Sequence, residues 1–217
     1  MKLEKMDDFF TARVNGYDEH MRTTIEGAPE FYAYTASLLP AESGARVLDL
    51  GCGTGLELEE YFRRNPEADV TGIDLTEAML KALKEKFPGR RLSLVAGSYF
   101  DVPFGEAVFD AAVSVESLHH FPAGQKEKLY RKLHAALRDR GCFVLTDYFA
   151  ESEEAEEEAF RRLEQLKEEQ GLPEGGFFHF DTPLTAGHET RVLRQAGFSD
   201  VRVLRTWGPT CTLLARR

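Results

Sequence analysis

Cysteine is scarce in this chain. Only Cys52, Cys142 and Cys211 occur, far apart and without a C-x-x-C pair. An odd, scattered set argues against a disulfide framework and a zinc site, and fits a reducing, cytoplasmic setting. Positive charge is short as well: 27 Lys and Arg stand against 37 Asp and Glu, a formal charge of −10. Such a chain gains little from counterion release, and its basic pairs (Arg63-Arg64, Arg90-Arg91, Arg161-Arg162) are dispersed. Nucleic acid is therefore not expected as the main partner. No apolar run is long enough to cross a membrane, and the start, MKLEKMDDFF, lacks the apolar core of a signal peptide. No internal repeat is evident. The 217 residues suffice for one large domain, or a domain with a lid, and its buried core.

What is present is alternation. Apolar, β-branched runs predict strands at 45–50, 68–75, 91–97, 108–115 and 141–148. Between them, amphipathic spacing predicts helices: 56–64, closed by Asn65-Pro66; one capped by Thr76 and stopped by Pro88-Gly89; and 125–138, with Leu129, Leu133 and Leu137 on one face. A helix at 188–196 and a hairpin of strands, 201–206 and 210–215, end the chain. Strand–helix alternation predicts a parallel sheet covered on both faces, with the hairpin adding an antiparallel strand. Two segments fall outside the pattern. Residues 1–44 read as a helical cap. Residues 149–185 hold an acidic helix at 151–170 and then GLPEGGFFHFDTP. An insertion after a parallel strand overhangs the ligand crevice, so this segment is expected to act as a lid on a domain spanning 45–217.

The most informative stretch is VLDLGCGTGLELEE, 47–60. Gly51, Gly53 and Gly55 stand between a strand and a helix. Three glycines there imply a tight left-handed turn, or a ligand lying against bare backbone at a helix N-terminus. The spacing departs from G-x-G-x-x-G, because Leu56 stands where the third glycine would fall, and no Lys follows for a phosphate loop. Asp74 ends the second strand in GIDL and can accept hydrogen bonds from both hydroxyls of a ribose, or else serve as a helix cap. Together they imply a nucleoside with an anionic tail.

VLDLGCGTG, GIDLT, AGSYFDVPF and FDAAVSVESLHHF, in this order, resemble the class I S-adenosylmethionine-dependent methyltransferases across roughly 45–148. The resemblance implies an α/β Rossmann-like sheet of seven strands, order 3-2-1-4-5-7-6 with strand 7 antiparallel, with helices on both faces. It implies S-adenosyl-L-methionine as cofactor and S-adenosyl-L-homocysteine as product. It puts the cofactor's methionine part on Gly51, Cys52 and Gly53, with Asp49 near the ammonium and Tyr17 closing over that end. Asp74 would hold the ribose, with Leu75 and Met79 beside the adenine. Gly97, Ser98 and Tyr99 would border the adenine, although relatives often carry Asp where Ser98 stands. Val115 and Glu116 would lie under the sulfonium. The acceptor is expected to be a small molecule methylated at O, N or C, by a monomer or a homodimer.

Methyl transfer from a sulfonium needs alignment more than it needs a catalytic side chain. His119 and His120 are the candidate bases, His119 preferred by its place in the turn; a capping and a packing role are the alternative. Glu116, Asp147 and Tyr148 stand near them at strand ends. No metal is expected, the glutamates at 153–158 reading as a solvated face. Phe177, Phe178, His179 and Phe180 either wall an acceptor pocket or anchor the lid. Two other functions fit the same motifs. One is a cofactor binder without turnover. The other is a tRNA-modification enzyme of the carboxy-S-adenosylmethionine synthase type, a family that holds an extra carboxylate with an arginine in its last helix, near Arg191 here.

Overall fold

Side-chain alternation along the first strand sets the layers. In β1 (Arg46–Leu50), Val47 enters one apolar cluster, while Leu48 and Leu50 enter another across the sheet. The computed structural model describes residues 1–173 and 175–217 and contains six further strands. These are β2 (Asp69–Asp74), β3 (Arg91–Ala96), β4 (Phe109–Val115), β5 (Leu137–Tyr148), β6 (Asp200–Trp207) and β7 (Thr210–Arg216). Their order is β3-β2-β1-β4-β5-β7-β6. Strands β1 to β5 pair in parallel, and β7 runs antiparallel to both neighbours.

Helices cover both faces. On one side, α3 (Ala28–Ser37) and α4 (Leu56–Arg64) bury Phe31, Tyr32, Leu58, Tyr61 and Phe62, and α5 (Glu77–Lys86) adds Leu80 and Leu83. On the other, α6 (Ala123–Ala136) and α8 (Ala186–Gln195) bury Leu129, Tyr130, Leu133, Val192 and Leu193. The remaining helices are α1 (Met6–Arg13), α2 (Tyr17–Thr24) and α7 (Glu153–Glu169). Among the described residues no helix is long and apolar enough to cross a membrane.

Two local expectations are corrected. The helix predicted at 125–138 ends at Ala136, and Leu137 instead pairs with Phe109 as the first residue of β5. Arg140, at φ +66°, then breaks the regular pairing before Gly141. Thr76 is not a side-chain cap: its hydroxyl is buried without a hydrogen-bond partner among the described residues, and its N–H donates to Asp74 Oδ1 (2.8 Å). The Asx turn so formed opens α5.

The two segments outside the alternation meet each other. Lys5 forms an antiparallel bridge with Phe178, Met6 N–H donates to Phe177 O (2.9 Å), and His179 N–H to Glu4 O (3.0 Å). Leu3, Leu163, Leu166 and Phe178 form a small apolar cluster of their own. Glu174 lies outside the described residues.

Candidate active site

Five parallel strands end at one edge of the sheet, and their tips build the site. After β1 the chain turns through Gly51 (φ +73°) and Gly53 (φ +47°). A Cβ on Gly51 would fall 2.0 Å from Ser117 Oγ, so no side chain fits there. At Gly53 the nearest atom to a Cβ would be Tyr17 Cε1, at 3.9 Å. Gly53 N–H donates to Asp74 Oδ2 (2.9 Å), so the two backbone N–H groups of Gly53 and Thr76 hold the carboxylate at the β2 tip.

A narrow slot runs along these tips. Gly51, Gly53, Asp74, Leu75 and Met79 form one wall. Gly97, Ser98 and Tyr99, after β3, form the next, and Glu116, after β4, the floor beyond it. Tyr17, the first residue of α2, closes it from above with Phe10. Three residues expected at the cofactor do not border the slot. Asp49 is fully buried behind it, on the same face of β1 as Val47. Cys52 turns its sulfur onto Gly72 of β2, and Val115 packs in the apolar cluster. Strand parity explains Asp49 and Val115: both side chains point to the covered face rather than past the strand end.

Asp49 has an unusual environment. Neither carboxyl oxygen finds a donor among the described residues. Its neighbour is a second buried carboxyl, Glu57 of α4. Burial, then the Glu57 charge, raises the Asp49 pKa well above the usual range; burial also raises that of Glu57. A hydrogen bond between them requires a proton on one.

A second cavity of about 940 Å³ adjoins the slot. The two share Phe10, Tyr17, Glu116 and His120. Phe9, Met21, Ile25 and Tyr148 give it apolar walls, and His119, His179 and Asp181 line it near the junction. His119 and His120 lie on a 3-10 turn, Leu118–His120. His119 Nδ1–H donates to Asp147 Oδ1 (2.6 Å). Asp147 is fixed by the N–H groups of Leu118 (2.9 Å) and Tyr148 (3.0 Å). Asp181 Oδ1 lies 3.5 Å from His119 Nε2 and 3.3 Å from His120 Nδ1. The same His120 nitrogen is 3.1 Å from Phe180 O.

These contacts set the charges. Burial pulls the His119 pKa down, but Asp147 and Asp181 outweigh it and raise the ring to about 10. Burial and the His119 charge lower His120. His179, stacked on Phe9 at 3.5 Å, is lowered to about 4 by burial and then by His120. Burial, then Asp147, pushes Glu116 up to about 7. His119, the expected base, is thus already protonated at neutral pH. Glu116 sits in a left-handed conformation (φ +49°), held by its N–H to Thr146 O (2.9 Å) and by the Thr210 hydroxyl on Oε1 (2.9 Å).

The span that carries the glycine loop, Asp74 and the β4 strand, residues 47–141, matches the methyltransferase domain family. Residues 47–141 thus form a methyltransferase domain of the class I S-adenosylmethionine-dependent kind. O-methyltransferase cnsE of Penicillium expansum is 28% identical over 81% of this chain and 60% of its own length. Carboxy-S-adenosyl-L-methionine synthase of Wolinella succinogenes is 28% identical over 100% of this chain and 95% of its own. Phosphoethanolamine N-methyltransferase 2 of Haemonchus contortus, solved with S-adenosyl-L-methionine, superposes with a TM-score of 0.69 at 18% identity, over 92% of this chain and 46% of that one. At that identity the likeness is one of fold. The chain thus spans 60% of the first relative and under half of the third.

The slot suits the family's cofactor. A side-chain-free turn, a carboxylate at its edge and an unpartnered buried acid beneath it are features that an adenosyl amino acid with a cationic ammonium would use. Sequence reading missed Ser117, Glu57 and Asp181. Ser117 and Asp181 lie in quoted motifs, ESLHHF and HFDTP, without a spacing that singles them out. Glu57 reads as a surface residue of an amphipathic helix.

Proposed function

We propose that this methyltransferase moves a methyl group from S-adenosylmethionine to an oxygen of a small molecule with a largely apolar body. The observation that carries the reading is the wall shared by slot and cavity, where Tyr17, Glu116 and His120 face both. In this reading Gly51 and Gly53 seat the methionine part, with Tyr17 over it and Asp49 below. Asp74 takes the ribose hydroxyls. Leu75, Met79, Gly97, Ser98 and Tyr99 enclose the adenine. The cofactor, when bound, supplies a methyl already activated on a sulfonium.

The chain's own work is alignment, exclusion of water and handling of one proton. Positioning supplies about 7–11 kcal/mol in well-oriented reactions. Glu116, with a pKa near neutrality, receives the hydroxyl proton at the junction; such a base contributes about 10²–10⁴-fold. His119 and His120 hold the acceptor oxygen, His119 steadied by Asp147. The segment 149–185 serves as the lid, with Phe177 on the slot, His179 on the cavity and Phe178 in the anchoring cluster.

Two observations weigh against the rival readings. Arg191 of α8 pairs with Glu153 on the outer surface (3.3 Å), away from both cavities, so it offers no grip on an extra carboxylate. Phe177 lines the slot, and His179 and Asp181 line the cavity beside the β4 tip, a shaped acceptor space that favours turnover over simple binding. Calorimetric titration with S-adenosylmethionine and S-adenosylhomocysteine, followed by a metabolite screen with labelled methyl donor, tests the reading. Labelled ethers or esters are expected, and Glu116→Gln should lower kcat with little change in cofactor affinity. Label found only on nitrogen or carbon would overturn the choice of oxygen.

A further inference from the structure

Three ligating atoms converge at the junction from two distant parts of the chain. Asp181 Oδ1 is 3.5 Å from His119 Nε2 and 3.3 Å from His120 Nδ1, and the three atoms lie within 4.8 Å of one another. Bonds of about 2.0–2.1 Å to a tetrahedral ion place ligand atoms about 3.3 Å apart. The two separations to Asp181 match that edge length, and the third lies within 4.8 Å.

The surroundings are those of a built site. Metal-ligating histidines commonly donate their second ring N–H to a carboxylate, which fixes tautomer and orientation. His119 does so to Asp147, itself held by two backbone N–H groups. Asp181 is half exposed, and the residue after it is tethered to the ligand turn: Thr182 N–H donates to His119 O (2.9 Å). Beyond the three atoms lies the 940 Å³ cavity, so a bound ion would keep a coordination position open toward it. Three protein ligands with an open position mark catalytic rather than structural metal sites.

We propose that His119, His120 and Asp181 form a divalent transition-metal site, of Zn²⁺ type, that ligates the acceptor's oxygen. Two imidazoles and one carboxylate suit zinc, cobalt or ferrous ions better than magnesium or calcium. Ligation replaces the His119 Nε2 proton, which passes to solvent, whereas His120 keeps its single ring proton by moving it from Nδ1 to Nε2 and gives up its hydrogen bond to Phe180 O, so binding releases one proton. His119 and His120 then hold the acceptor oxygen through the ion instead of directly, and Glu116 keeps its place. The role toward the acceptor rests on the oxygen-methylation reading; the binding of the ion does not.

The full chain, free of any tag and stripped with chelator, is titrated with Co²⁺ and Zn²⁺ at pH 8 without cofactor. One ion per chain is expected, with the intense visible absorption of tetrahedral Co²⁺ and proton release that differs between buffers of different ionisation heat. Asp181→Asn and His120→Ala should each abolish the visible band, and Asp147→Asn should weaken binding by about 10–100-fold. Each variant's fold is checked by its melting temperature and by S-adenosylhomocysteine binding. No Co²⁺ band in the unaltered chain, or a band that survives the Asp181→Asn, His120→Ala double change, overturns the site. A chain that binds cofactor but no metal refutes this inference alone; one that binds metal but no cofactor refutes the reading of the slot alone.

Discussion

Asp49 and Glu57 face each other beneath the glycine loop as two buried acids, and apart from Glu57 no described residue offers Asp49 a hydrogen bond. Such a pair is a stability cost that a cofactor's ammonium would offset. An unpartnered buried polar group costs about 1–3 kcal/mol.

Asp49→Asn should therefore raise the melting temperature of the cofactor-free chain while weakening S-adenosylmethionine binding. The pH dependence follows from sign. Both acids have raised pKa values in the fold, so the fold binds protons that the unfolded chain has released. Their contribution is complete below the ordinary carboxylate range and fades as pH climbs through the raised values. Melts at pH 5 and pH 8 should show a larger benefit of Asn at pH 8; a benefit independent of pH would refute the assignment.

Gly51→Ala should cost about 1–2 kcal/mol from its left-handed backbone alone, with the Ser117 contact adding to it. Cofactor binding should vanish with it. Pairing the change with Ser117→Gly should recover part of the stability, because only the contact is relieved. Denaturant titration of the single and double variants checks both statements.

Tyr17→Ala removes a ring that faces slot and cavity alike. The loss of one aromatic contact, about 0.5–1.5 kcal/mol, corresponds to a cofactor Kd raised about 2- to 10-fold. Tyr17→Phe should keep most of the affinity. Calorimetry of the two variants separates the ring's contribution from that of the hydroxyl.

Arg191→Ala should leave turnover unchanged and stability within about 1 kcal/mol, since its pairing with Glu153 is exposed. A specific loss of cofactor or product handling in this variant, read by steady-state kinetics, would restore the carboxylate-binding role that the surface position denies.

The sheet was legible because its signals are local. Val47, Leu48 and Leu50 alternate between two cores, and each predicted strand corresponds to one in the structure within a few residues. The boundary at Leu137 was misplaced because the leucine spacing of four residues ran on past the helix, and pairing with Phe109 took the residue instead. The slot was legible for the same reason: glycines and Asp74 mark strand tips directly. The His119–Asp181 contact was not, because it joins residues 62 apart through a segment with no regular pattern. Nor was the burial of Glu57, which depends on what α4 packs against.

The bridge between Lys5 and Phe178 makes one clasp of two strips that sequence order holds far apart. Neither strip can lift without breaking its hydrogen bonds to the other. Access to slot and cavity therefore hinges on a shared movement, and a single crosslink across the clasp would shut both compartments together.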